Sequence, residues 1–311
     1  MAAKLIYGTY RQTWNIGLCN AGVSAVAGLE GEGQQRAALE RIIWMKETRK
    51  AFKADPFLAP HPTKTSSVII LYEHFEWSRK LGNINAVVWD GSNFSEPVLA
   101  LDSVFHLSYP YVLYDNKDVF FIPEHSKARD VSCFWFDSEG RAIKKKSIWS
   151  RSDAVDSSLV RIGNVYWLFC TIAGPDANSA LYLYYSEDVE GPWKAHHTNP
   201  VKVDTSSARP AGQLFFHKGD VFRPSQNCQN FYGESIKINR IEKLSPTEFK
   251  EVMESEVRPH PAWDRDFGLH TISNLGERTV VDSGRLESKF HPMLDKLNVL
   301  LRKVLYFQFS D

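Results

Sequence analysis

The sequence predicts an all-β fold, a five-bladed β-propeller, and three observations carry that expectation. First, four segments repeat one plan and a fifth abbreviates it: a short apolar strand opened by a polar or proline-containing step, a turn, then a strongly β-prone strand. They run over 55–58 then 67–73, 108–112 then 118–124, 155–160 then 165–171, 208–212 then 220–227, and 267–271 then 278–285. Second, the period is roughly 50 residues, the length of one four-stranded blade. Third, the last repeat has only two strands of its own, while strand-like stretches at 5–10, 13–19 and 41–45 precede the first repeat. Borrowing them completes the last blade, closes the ring and removes its open edges.

Along the chain, residues 22–35 are rich in Ala and Gly and predict a loop or short helix. In the first three repeats, third strands follow at 84–89, 131–136 and 181–185, closed by the turns Asp90-Gly91, Ser138-Glu139-Gly140 and Glu190-Gly191-Pro192. Fourth strands are expected at 94–99, 142–149 and 193–197. Ser245-Pro246-Thr247-Glu248 has the pattern of a helix start, which places a helix over 243–256, outside the blade cores. Beyond the last repeat, Phe290, Leu294, Leu297, Leu301 and Val304 recur at steps of four and three, the spacing of one helical face, and Pro292 suits its first turn. The expected organisation is a propeller over 1–286 and a short amphipathic helix with its tail over 287–311. That helix docks on its own propeller or, as the alternative, serves a homodimer or a partner protein.

Composition fits one large domain of this kind, with 43% hydrophobic and 13% aromatic residues among 311. The 37 basic and 37 acidic residues cancel, so no net field draws the chain to nucleic acid or an anionic membrane. Cys19, Cys133, Cys170 and Cys228 are scattered without C-x-x-C spacing, which argues for reduced thiols rather than a disulfide framework or a zinc site. No apolar run approaches the roughly 20 residues of a membrane span, and the first residues turn polar too early for a signal peptide. A cytoplasmic location is expected. The histidines are dispersed apart from His196-His197, the glycines at 28, 31 and 33 lack a Lys-Ser/Thr step, and no serine sits in a G-x-S-x-G elbow. Neither a cofactor nor a metal is expected.

The repeat also places the chemistry. In an antiparallel pair the start of the first strand and the end of the second share one edge. Asp55 and Glu73, Tyr109 and Glu124, Asp156 and Thr171, and Arg209 and Gln226 are therefore expected to converge on one mouth of the central channel. Core packing does not ask for Asp55, Asp156 and Arg209 at equivalent strand starts. The competing account is local: the aspartates cap turns and the arginine pairs with a carboxylate. Arg209 and Arg223, with His270 in the next repeat, form a donor set suited to a phosphate, a carboxylate or a nucleotide-sugar diphosphate. Tyr109 and Tyr232 suit stacking on a sugar ring, although aromatic residues also fill blades.

Ala54-Asp55-Pro56-Phe57-Leu58, Val155-Asp156-Ser157-Ser158-Leu159-Val160 and Glu190-Gly191-Pro192-Trp193 resemble the blade motifs of five-bladed propeller glycosidases, as in glycoside hydrolase family 43. Trp14-Asn15-Ile16-Gly17, His106-Leu107-Ser108-Tyr109-Pro110, Ala208-Arg209-Pro210-Ala211-Gly212, Arg223-Pro224-Ser225-Gln226-Asn227 and Gly268-Leu269-His270-Thr271 resemble more closely the N-terminal propeller of plant glucosamine inositolphosphorylceramide transferase. The resemblance runs from about residue 6 to 285, and the transferase domain that follows the propeller in the plant enzyme is not expected within these 311 residues. It implies a glycosidase-like propeller with Asp55 as general base and Asp156 as the aspartate that tunes and orients the acid. Where the hydrolases carry Glu before Pro, this chain reads Arg209-Pro210, so the acid falls provisionally to Glu124 and, less favourably, to Glu73. The expected substrate-binding set is Glu73, Tyr109, Arg209, Arg223, Gln226, Tyr232 and His270. Two functions follow: glycosyl transfer or cleavage on an anionic or activated sugar, with a sugar, sugar phosphate or nucleotide sugar as ligand, or a non-catalytic glycan-binding propeller that assists a separate glycosyltransferase.

Overall fold

The computed structural model describes residues 10–115, 118–150 and 152–288, and these form five sheets arranged as propeller blades. Blade 1 is built from Ala51–Pro60, Val68–Glu76, Leu81–Trp89 and Val98–Leu101, and blade 2 from Ser108–Asp115, Asp118–Glu124, Asp130–Phe136 and Ala142–Ser150. Blade 3 comprises Ala154–Ile162, Val165–Ile172, Ala180–Ser186 and Lys194–Ala195, with Lys202–Val203 also paired to its third strand. Blade 4 comprises Phe215–His217, Asp220–Asn227, Ser235–Leu244 and Phe249–Val257. Blade 5 takes its inner strands, Ile272–Leu275 and Arg278–Ser288, from late in the chain and its outer ones, Tyr10–Cys19 and Ile43–Trp44, from early in it. Tyr10 faces Ser288 and Cys19 faces Thr279 in one uninterrupted antiparallel register, so backbone hydrogen bonds close the ring.

Each blade is covered by its neighbours, which is why the second strands of blades 1, 2 and 3 carry continuous apolar runs rather than alternating. In blade 1 every residue from Val68 to Glu73 is buried. Phe57, Tyr111, Phe121 and Leu168 belong to one cluster joining blades 1, 2 and 3. Ile16, Leu18, Leu58, Ile70 and Val280 join blades 5 and 1. Phe169, Leu183 and Leu214 join blades 3 and 4, and Phe222, Ile238, Ile272 and Val281 join blades 4 and 5. Two short helices, Val23–Val26 and Glu32–Glu40, lie within the stretch between the borrowed strands and add Val26, Ala38 and Leu39 to the last cluster.

Several local expectations are corrected. Residues 243–256 are not a helix but the turn and strands of a hairpin between Ser235–Leu244 and Phe249–Val257. The Glu248 N–H donates to Ser245 Oγ at 2.9 Å, and the Ser245 N–H donates to the Glu248 carbonyl at 2.9 Å. The serine-to-glutamate spacing that caps a helix thus closes a tight turn as well. The steps at 208–212 and 267–271 are not regular strands. They meet their sheets through isolated bridges, Pro210 with Ser225 and Gly268 with Gly284, and the inner strands begin only at Phe215 and Ile272. The fourth strand expected at 193–197 shrinks to Lys194–Ala195, and the last strand runs on to Ser288, past the boundary expected at 286. The expected C-terminal helix lies outside the described residues, as does the strand expected at 5–10 apart from Tyr10. Among the described residues no helix is long and apolar enough to cross a membrane.

One backbone device recurs at the channel end of the inner strands. In blades 1, 2 and 3 the first strand carries one residue more than its partner: Ala54 to Phe57 opposes Glu73 to Leu71, Ser108 to Tyr111 opposes Glu124 to Ile122, and Val155 to Ser158 opposes Thr171 to Phe169. The first bulged residue is Asp55, Tyr109 or Asp156, with φ of 51°, 44° and 52°. Non-glycine residues seldom adopt this left-handed conformation, and a bulge re-aims the side chain that it carries.

Candidate functional site

A cavity of about 230 Å³ opens where these bulges meet. Asp55, Glu73, Glu124, Asp156 and Arg209, expected at the mouth, line it together with Tyr232 and His270 of the expected substrate-binding set, whereas Thr171 does not. Tyr109 sits beside rather than on the cavity wall: its backbone N–H donates to Asp55 Oδ2 at 3.2 Å, and its buried phenol reaches Ser158 Oγ at 2.8 Å and accepts the Gly212 N–H at 2.6 Å. Arg223 and Gln226 are not brought to it. Arg223 is buried within blade 4, where it donates to Glu251 at 2.6 and 2.8 Å and to the carbonyls of Ser207 and Ala208, while Gln226 donates to the Pro210 carbonyl at 3.0 Å.

Asp55 is held from three sides. Besides the Tyr109 N–H, the Thr271 hydroxyl donates to its Oδ1 at 2.7 Å, and its own N–H donates to Asp282 Oδ2 at 2.9 Å. His270 lies between the two carboxylates, with Nε2 3.5 Å from Asp55 and Nδ1 2.8 Å from Asp282, the latter an ion-pair contact off the line of a hydrogen bond. Burial works against a charged imidazole, but Asp282 and Asp55 outweigh it and hold the His270 pKa above its ordinary value. Asp55 is raised in turn: burial pushes it up, His270 pulls it down and Asp282 pushes it up again. Asp55, His270 and Asp282 each offer one ligand atom within 4.8 Å of the others, a spacing that a metal ion could bridge.

Across the cavity, Arg209 Nε lies 2.7 Å from Asp156 Oδ2, again a contact rather than an aligned hydrogen bond, and Arg209 Nη1 donates to Asn178 at 3.0 Å. The guanidinium also stands 5.1 Å from the Tyr232 ring centre. Burial, with Glu124 and Asp55 adding to it against Arg209, pushes Asp156 up to about 7. Glu124 accepts hydroxyl hydrogens on both oxygens, from Ser108 at 3.1 Å and Ser126 at 2.8 Å.

Sequence reasoning missed four of the residues that shape this cavity. Asp282 lies in a buried strand, and its only signal is a carboxylate amid apolar residues where packing wants none. Trp14 stacks on His270 with ring centres 4.0 Å apart, and the borrowed strand brings it there. His106 stands at the start of a segment already notable for Ser108 and Tyr109. Phe52 precedes the Asp55 motif by three residues and stacks on Phe75 at 4.8 Å on the cavity wall.

Comparison with known proteins gives the following. A family model described as glucosamine inositolphosphorylceramide transferase 1, N-terminal, matches residues 43–265. Proteins named glucosamine inositolphosphorylceramide transferase 1 are 31% identical over 259 residues in Oryza sativa subsp. japonica and 29% identical over 253 residues in Arabidopsis thaliana. In each case 76% of this chain is covered, and the chain spans about a third of the relative's length, 34% and 33%. Among solved structures, the exo-β-1,3-galactanase 1,3Gal43A of Clostridium thermocellum superposes with a TM-score of 0.51 at 10% identity, covering 68% of this chain and 52% of the other. The GH43B protein of a Bacteroides ovatus xyloglucan locus gives a TM-score of 0.50 at 13% identity, over 67% of this chain and 44% of the other. At these identities the likeness is one of fold.

Proposed function

The chain belongs to the family of glucosamine inositolphosphorylceramide transferase 1 N-terminal domains, and on that premise we propose that its cavity performs glycosyl transfer or cleavage on a sugar. The observation that carries this reading is the convergence of Asp55, Asp156, Glu124 and Glu73 on one cavity, with both aspartates aimed there by equivalent backbone bulges. Asp55 is the general base. It accepts the proton of a water or an acceptor hydroxyl, and the Tyr109 N–H and the Thr271 hydroxyl fix its carboxylate. Asp156, paired with Arg209, orients the reacting groups.

The charge balance refines the ligand. Arg209 is already engaged by Asp156 and Asn178, so it is not free for the anionic sugar that it suggests in isolation, and the wall favours a neutral or amine-bearing ring. An activated donor with its phosphates outside the cavity remains compatible. The relatives' name speaks of a glucosamine, and an acidic pocket accommodates an amino sugar.

The test is Asp55→Asn, screened with 4-nitrophenyl glycosides and nucleoside-diphosphate sugars of amino and neutral hexoses. Asparagine tolerates the left-handed backbone at this position, so the variant is expected to fold and bind while turnover falls by ~10²–10⁴-fold. Undiminished turnover would defeat the assignment. The second reading, a glycan-binding module serving a separate transferase, is favoured by Arg209-Pro210 standing where hydrolases place their acid. It predicts saturable sugar binding by the unmodified protein with no turnover at all.

A further inference from the structure

We infer that Glu73, positioned by His106, carries the proton delivered to the leaving group. This rests on the reading of the cavity as a site of glycosyl transfer or cleavage, and it supplies the acid that Arg209-Pro210 does not. Glu73 ends the buried run of the second strand of blade 1, opposite Ala54, and lines the cavity with its side chain only 7% exposed.

His106 comes from the connection between blades 1 and 2. Its Nδ1 accepts the Gly82 N–H at 3.0 Å, which puts the ring proton on Nε2, 3.4 Å from Glu73 Oε1. Because Nδ1 accepts the Gly82 N–H, the ring acts as a neutral donor through its Nε2–H, and burial lowers the His106 pKa in the same sense against the pull of Glu124 and Asp55. With Oε1 facing that N–H, the carboxyl proton belongs on Oε2. Gly82 fixes the arrangement. A Cβ there would stand 2.6 Å from the Leu107 carbonyl, 2.7 Å from Glu73 Oε1 and 2.8 Å from His106 Cε1, so no other residue fits without shifting all three.

The titratable groups facing Glu73 come from four blades: Asp55 and the neighbouring His106, Glu124 of blade 2, Asp156 of blade 3 and Asp282 of blade 5. Burial first, then the four negative charges, hold the Glu73 pKa well above the usual carboxylate range. Glu124 differs, because the hydroxyls of Ser108 and Ser126 already occupy both its oxygens.

In the reaction, the proton on Glu73 passes to the glycosidic oxygen as the C1–O bond breaks, and that oxygen keeps the bonding pair. The oxygen of a water or acceptor hydroxyl forms the new bond to C1 while Asp55 takes its proton. Glu73 ends ionised and Asp55 protonated, so the charge is conserved.

Two measurements test this. Infrared difference spectra of the ligand-free protein at pH 7, unmodified minus Glu73→Gln, are expected to show the carbonyl stretch of a protonated carboxylic acid, and the band should weaken in His106→Gln. Its absence would overturn the inference whether or not a substrate is known. With paired glycosides of one sugar, Glu73→Gln is expected to slow an alkyl glycoside by ~10²–10⁴-fold and a 2,4-dinitrophenyl glycoside little, since the latter leaves without a proton. Equal loss on both, or this selective pattern in Glu124→Gln instead, would also overturn it. Undiminished turnover in Asp55→Asn would strike at the underlying reading of the site, while the infrared band would still decide where the proton resides.

Discussion

At the scale of single residues, the informative pair is Arg209 with Asp156. Both are largely enclosed, with side chains 13% and 4% exposed, so removing one partner strands the other. Arg209→Ala is expected to cost about 3–5 kcal/mol once the pH is high enough to ionise Asp156. The loss should depend on pH, because an aspartate whose folded pKa of about 7 exceeds its unfolded value loses folding stability as the pH rises between the two. Without the arginine the folded value rises further. Denaturant midpoints should therefore show a small cost near pH 4 that grows through pH 7 and above, and a cost independent of pH would contradict the pairing. These residues were legible because strand edges in a repeat converge. The partner of Arg223 is hidden from the sequence, because Glu251 sits in a strand whose turn imitates a helix start.

At the scale of elements, the inner edges of blades 4 and 5 depart furthest from regular strands, and Gly212 shows why. Its N–H reaches the Tyr109 hydroxyl, its φ is 122°, and a Cβ would collide with the Ile272 carbonyl at 1.8 Å. Gly212→Ala should destabilise by at least about 1–3 kcal/mol from backbone strain alone, measured as a lowered Tm, with the Tyr109 anchor lost as well. The repeat plan predicts strands here because the same apolar residues are buried in either geometry. Periodicity cannot distinguish a strand from a coil pressed between two blades. The second strands were easier to read, since burial on both faces leaves a continuous apolar run such as 68–72.

At the scale of the whole molecule, the ring and its closure followed from repeat length and strand count, and both are properties of sequence. What closure does for the cavity was hidden, because it depends on register. Only the pairing of Trp14 with Gly284 sets the indole over His270, against the bare backbones of Gly233, Gly268 and Gly284. Trp14→Ala should cost about 3–5 kcal/mol and also impair turnover, whereas a substitution that only loosened the ring would lower Tm and leave the folded fraction fully active.

The borrowed strand also sets a timetable. Cys19 pairs with Thr279, about 260 residues later in synthesis. At ~5–20 residues per second, the strand bearing Trp14, Ile16 and Leu18 leaves the ribosome roughly 10–50 s before its partner exists. Throughout that interval its apolar face is a natural client for chaperones, and the Trp14 indole has no Gly284 strand to dock it over His270. A nascent chain arrested before residue 279 thus has four blades' worth of sequence and an open ring, so pairing of the last strand is the event that completes the cavity.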